Sequence, residues 1–377
     1  MKRIAAIVLA AVLVCVFPSL RCRAEDSRAF FDEQLEASGA TALFESLPPH
    51  TRRLLDTLGI DSLSLEALTA LQPQTVLSSL WDLLSEEAAG PLAAVASLLG
   101  LILLSGLFTA LQPQGGAQAE LYRILSFLAA VTPLLIPLWK TLMRAAEAAE
   151  SAAVFSLGFA PVYASALASQ GMALSAVSHQ TLMLAAAQGI SLLTQTVIMP
   201  LLCAALALGL SGAVSRGSHL AQVGTFVNKA AVWLLGLSLT VFVGLLSFQG
   251  VLTASADSVG GRVMRFSVAG LVPVVGGSLS EALYTVRGCL SALKGTVGAF
   301  GIFGTVLIAV PTLIECAVWS VLLNIAGLAA ELFSFGTLGA AIETARGIVR
   351  TLIAVLSSSA LLMIVAVTLT TITVGGG

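Results

Sequence analysis

Charge is scarce in this chain. Only 10% of its 377 residues are Asp, Glu, Lys or Arg, against roughly 25% in soluble domains. That is too little polar surface to cover a water-soluble body of this size. The charges also nearly cancel, leaving a formal net charge of −2, so nothing argues for nucleic acid or another polyionic partner. Histidine is rare. His50, His179 and His219 stand far apart with no His-Glu-x-x-His spacing, and metal catalysis has little to work with. Cysteine is sparse and unpaired in sequence. Cys15, Cys22, Cys203, Cys289 and Cys316 include no Cys-x-x-Cys, which argues against a zinc knuckle or a redox pair. There is no Gly-x-x-x-x-Gly-Lys-Ser/Thr phosphate loop and no Gly-x-Ser-x-Gly elbow. The expectation is a protein that is not an enzyme, with no catalytic residue, no metal and no cofactor.

What is present is apolar. The hydrophobic fraction is 57%, and it comes in blocks. Pro91–Leu111, Ile190–Val214, Ala230–Gly250, Ala299–Leu323 and Thr351–Val374 each run for about 20 residues with almost no charge, the helical length that spans a hydrocarbon core of roughly 30 Å. Leu121–Trp139 is a further apolar stretch, with Pro133 and Pro137 near its end and Trp139 and Lys140 suited to an interface. The blocks are continuous and do not alternate with period two, so they are not barrel strands. The fold class expected is all-α: a polytopic helical membrane protein of about 6–8 spans, in contact with the lipid bilayer.

The chain opens MKRIAAIVLAAVLVCVFPSLRCRAEDS. A basic start, an apolar stretch ending at Pro18, and small residues before Glu25 read as a signal peptide over residues 1–24, the alternative being an uncleaved first anchor. Residues 25–90 are the only long polar stretch. They read as short amphipathic helices divided at Pro48-Pro49, forming an extracytoplasmic arm in which His50 is a solvated loop residue. The remaining boundaries expected are a first membrane hairpin over 91–150, with Thr141–Glu150 a short charged helical piece, a membrane repeat over 151–250, and a second repeat over 251–377.

The repeat rests on two echoes. FSLGFAPVYASALASQG begins at Phe155, and FSVAGLVPVVGGSLSEA begins at Phe266. Pro161 and Pro200 are 39 residues apart, and Pro273 and Pro311 are 38 apart. Proline removes a backbone donor and frees a carbonyl one turn back. Within a membrane that is tolerated where protein or a wet cavity satisfies the freed group, and paired breaks in two halves point to a central pathway. Gly158, Pro161, Pro200, Gly270, Pro273 and Pro311 are therefore candidate hinge or pathway residues, with Gly158–Pro161 and Gly270–Pro273 expected to face the interior. The competing reading is a set of plain packing kinks. ALALGLSGAVSRG and GAFGIFG carry small residues three or four apart, which lets helix backbones approach closely. This pattern is compatible with a homo-oligomer.

Ionisable residues inside spans are costly and ask for a role. Glu315 lies four residues after Pro311, on the same helical face, where it could carry a proton, hold a cation, or pair with an arginine from another helix. Glu281, Arg287, Glu331 and His179 are further candidates, with Glu281 and Arg287 on SEALYTVRGCLSALKG, which reads as an amphipathic helix facing water or a cavity. Asp257, Arg262 and Arg265 read as an interfacial loop. Arg216 with Lys229, Arg262 with Arg265, Arg287 with Lys294, and Arg346 with Arg350 read as basic clusters in successive loops. They cannot all be cytoplasmic under a positive-inside rule.

The stretch LLGLSLTVFVGLLSFQGVLTASADSVGGRVMRFSVAGLVPVVGGSLSEALYTVRG, Leu234 to Gly288, resembles the stage III sporulation protein AE family. LTVFVGLLSFQG, the Asp257-x-x-x-x-Arg262 spacing and FSVAGLVPVVGG carry the likeness, and TQTVIMPLL around Pro200 adds to it. The resemblance implies a role in endospore formation, as a multi-pass subunit of the mother-cell membrane surrounding the forespore. There it would act as a gate or platform component of a secretion-like transenvelope channel complex. The partners implied are the other stage III A sporulation proteins, among them a secretion-type ATPase and ring-forming proteins. The family brings no agreed catalytic residues. Two other readings stay open: a stand-alone secondary transporter of a small solute or ion, and a purely structural scaffold.

Overall fold

The computed structural model describes the backbone of residues 35, 39, 43–44, 47–59, 73–111, 117–214, 219–271, 276–333 and 335–375. Side chains are described throughout these except at 73, 107–111, 117–123, 254, 256, 258–287, 289 and 371–375. The leader, Pro273 and the side chains of Glu281, Arg287, Arg262 and Arg265 lie outside what is described, as does Arg216. Among the described residues there is no strand. The helices are α1 (Pro49–Thr57), α2 (Pro73–Leu111), α3 (Ala117–Ala168), α4 (Ala173–Leu193), α5 (Met199–Val214), α6 (Leu220–Leu271), α7 (Gly276–Leu332) and α8 (Gly336–Gly375). A π turn, Thr194–Ile198, joins α4 to α5 into one rod. Six segments are long and apolar enough to cross a membrane, at Gln74–Gly106, Ile124–Ala168, Ala173–Val214, Leu220–Thr253, Leu290–Leu332 and Gly336–Thr370. This is the polytopic helical fold expected. The longest helices exceed a bilayer: α3 has 52 residues, roughly 80 Å at 1.5 Å per residue.

Several expected interruptions are absent. α3 runs unbroken through Pro133, Pro137 and Pro161, and α7 through Pro311. One missing donor per proline does not end a helix whose faces are held by neighbours. Thr141–Glu150 is not a separate piece but the middle of α3, so the 150/151 boundary falls inside one helix. The SADSVGGRVMRF stretch is not a loop; its backbone belongs to α6. Asp257 instead caps another helix. The N–H groups of Ser175 and Leu174 donate to its carboxylate at 2.9 and 3.3 Å, where the positive end of the α4 dipole favours an anion. Lys229, Lys294, Arg346 and Arg350 also sit on helices rather than in loops. At Pro200 the backbone switches register. The Met199 N–H reaches the Thr194 carbonyl five residues back, just ahead of the proline that has no N–H to give.

The interior divides into two stacked cores. The first joins α2, α3 up to Ala149, α5, α7 from Ala309 and α8 up to Leu356. The second joins α3 from Ala152, α4, α7 up to Ile308, α8 from Leu362, and Leu47 and Leu55 of the amino-terminal region. An aromatic ridge on α3 seats the second core. Phe155, Phe159 and Tyr163 recur every four residues, so they form one stripe, and they fit a groove made by Gly304, Gly301 and Gly298 of α7. A Cβ on Gly301 would enter the Phe159 ring, and one on Gly304 would stand 2.6 Å from Phe155. The small residues of GAFGIFG thus admit rings, not merely backbone. At the α5–α6 hairpin, Gly212 abuts the Ala221 backbone, and Gly224 lies against Ala205 and Gly209, the close approach expected from ALALGLSGAVSRG.

Candidate functional site: a buried acid–base seam beneath a cleft

Helix periodicity builds this site. On α3, Thr141 and Arg144 are three apart and share a face. On α7, Pro311, Glu315 and Trp319 are each four apart and do likewise. Where the two faces meet, the Thr141 hydroxyl donates to Glu315 Oε1 at 2.6 Å and accepts the Trp319 indole N–H at 2.9 Å. Arg144 Nη1 donates to Glu315 Oε2 at 3.3 Å and to Glu87 Oε2 of α2 at 2.9 Å. One guanidinium nitrogen therefore bridges two carboxylates from two other helices. Glu315 is only 5% exposed, and Thr141 and Trp319 are fully buried. The Arg144 side chain is 57% exposed. The seam is thus buried at its acid end and exposed at its base end. Both Glu315 oxygens are satisfied, as a carboxylate at this depth requires.

Arg144 and Glu87 open onto a cleft of about 640 Å³ whose walls come from α1, α2, α3 and α7. Asp82, Glu86, Glu87 and Glu147 face it, against Arg53, Arg144 and His50, so carboxylates outnumber the guanidinium groups. His50 is not a loop residue but lies in the first turn of α1, where burial lowers its pKa from the ordinary imidazole value. Pro49 starts α1 at its first position, where its missing donor costs nothing.

The structure separates the sequence candidates. Pro311 and Glu315 meet at this site, Pro311 in the cleft wall and Glu315 below it. Pro200 lies on the neighbouring rod, whose Gln195 amide donates to the Ala146 carbonyl of α3 at 3.1 Å, two residues from Arg144. Gly158 and Pro161 are elsewhere and face outward, not inward: both are exposed while Phe155, Phe159 and Ala160 turn inward. In a four-residue stripe the aromatic rings take the core side, and the small residues between them are left on the other. Gly270 lies on the α6 backbone without a described environment. Glu331 is exposed. Residue patterns missed Glu87, Thr141, Arg144 and Trp319. The available signal was a tryptophan one turn after the only buried carboxylate candidate on that face. Lys294, expected in a loop or at the end of a water-facing helix, is 6% exposed and donates to the Thr370 carbonyl at 3.0 Å.

Six apolar helical segments, three of them joined by a partnered acid–base seam, define a polytopic helical membrane protein with a polar junction between helices. The model of the family described as stage III sporulation protein AE matches residues 62–374. The chain belongs to that family, and with it to the proteins of sporulation. It is 30% identical over 165 residues to the stage III sporulation protein AE of Bacillus subtilis (strain 168), a match covering 44% of this chain and 41% of that protein. No solved structure matches.

Proposed function

We propose that this chain is a membrane subunit of the mother cell–forespore transenvelope channel complex required for endospore formation, and that it acts there as a gate or platform component. Family membership supports the sporulation role. The observation that carries the gate is the seam. α2, α3 and α7 are joined at one level by charge and hydrogen bonds, at the floor of an open cleft, instead of by apolar contact alone. Such a joint can be released by a competing charged group without exposing a hydrophobic core. The assembly it serves lies in the mother-cell membrane around the forespore. Its partners are the other stage III A proteins, including a secretion-type ATPase and ring-forming proteins.

The test is complementation in an endospore former lacking its own copy. The wild-type chain should restore heat-resistant spores and co-purify with other stage III A proteins, and Arg144→Ala should lose spores while the protein still reaches the membrane. Solute uptake by the purified chain in liposomes, with no co-purifying partner, would favour the carrier reading instead.

A further inference from the structure

The second core holds polar groups that neither the seam nor the cleft uses. His179 of α4 is 6% exposed, and its Nε2 meets no protein partner. Buried polar atoms in folded proteins nearly always have a hydrogen-bond partner. The imidazole lies against the Tyr163 ring, 5.1 Å between centroids, and it lines a cavity of about 20 Å³. One water needs roughly 10–15 Å³ of such space. The wall is polar on three sides, with Ser175 and Ser178 from α4, Gln249 and Thr253 from α6, and Thr370 from α8.

Donors and acceptors around the cavity are complementary to one kind of molecule. The Thr370 hydroxyl donates to the Val367 carbonyl of its own helix at 2.7 Å and accepts the Tyr163 phenol at 2.6 Å. That leaves it a lone pair and no proton. The Thr253 hydroxyl donates to the Gln249 carbonyl at 3.0 Å. As the Nδ1–H tautomer, His179 presents Nε2 as an acceptor, while Ser175 and Ser178 have hydroxyl protons to give. Two acceptors and hydroxyl donors call for a ligand that donates twice and accepts. A halide cannot donate, and the Lys294 ammonium on the Thr370 carbonyl opposes a cation. We propose that this cavity is a built site for a single water molecule, which bridges His179 Nε2 to the Thr370 hydroxyl and so pins α4 to α8.

The test uses the full chain in lipid bilayers with ¹⁵N-labelled histidine. The chain has three histidines, so His50→Asn with His219→Asn leaves His179 as the single signal. Solid-state NMR should show magnetisation transfer from water protons to Nε2, unchanged when chloride is replaced by gluconate. Ser178→Val, which fills the cavity, should abolish the transfer. Absence of transfer in the Ser178-containing protein overturns the proposal. So does a chloride-dependent Nε2 shift, which would mean a halide site, or transfer that survives Ser178→Val, which would mean water reaching the ring from elsewhere.

Discussion

In the first core Glu315 shares Arg144 with Glu87, and a threonine and a tryptophan complete the set. In the second core Lys294 rests on one backbone carbonyl, and among the described residues no carboxylate pairs with it. Both clusters bury a charge-bearing side chain within apolar helices, yet only one is a network. The first joins three helices through groups that need one another. The second places a single cation near hydroxyl, phenol and imidazole side chains, none of which is its hydrogen-bond partner. A buried charge whose partner is lost is far more damaging than a buried charge removed. The two cores should therefore answer the loss of their cation to very different extents.

The largest effect should come from the seam. Arg144→Ala leaves Glu315 buried with only Thr141, and should lower stability by about 2–3 kcal/mol. That is somewhat less than the roughly 3–5 kcal/mol of a fully enclosed pair, because the arginine end is more than half exposed. Thermal unfolding in detergent measures it, and Arg144→Met combined with Glu315→Leu should recover most of the loss. If the double variant is no better than the single one, the seam is not a coupled unit. Next comes the groove that receives the α3 aromatic ridge. Gly301→Ala drives a methyl into the Phe159 ring and should cost about 2 kcal/mol, within the range for overpacking. Unchanged melting would show that the ridge and groove have room to spare.

Lys294→Met should change stability by less than about 1 kcal/mol in either direction, since no charged partner is left behind. A loss as large as that of Arg144→Ala would erase the contrast between the cores. The smallest effect concerns the cleft rim. Burial depresses the folded-state pKa of His50, so its contribution to stability is present above the unfolded value of about 6.5 and is lost as pH falls below it. Relative to the intrinsic exchange rate at each pH, amides of α1 should be less protected at pH 5 than at pH 7, and His50→Asn should flatten that difference.

Much of this bundle was legible in its residues. The helical blocks stand out because a membrane span needs about 20 apolar positions in succession, and Glu315 stands out because a carboxylate inside such a block is conspicuous. Its partner does not. Arg144 sits among Lys140, Glu147 and Glu150, where a charge looks like solvent-facing helix, and the pairing joins residues 171 apart. Lys294 was hidden by the same logic: it ends SEALYTVRGCLSALKG, an amphipathic pattern whose charges read as facing water. The prolines misled in the other direction. Proline marks a missing donor, but which way the residue faces depends on its neighbours along the stripe, and Phe155, Phe159 and Tyr163 claim the inward side that Gly158 and Pro161 were expected to hold. GAFGIFG announced close packing; that it receives rings from α3 needed the three-dimensional arrangement.

The π turn before Pro200 carries a consequence for the rod it interrupts. One surplus residue in a helix advances everything beyond it by about 100°. Met183, Ala186 and Ile190 serve the second core, whereas Ile198, Leu202 and Leu206 serve the first, so the wide turn works as a phase adjuster between two gears on a common shaft. Deleting a single residue from Thr194–Ile198 would restore even winding and swing Leu202 and Leu206 out of mesh, while every apolar block kept its length and composition.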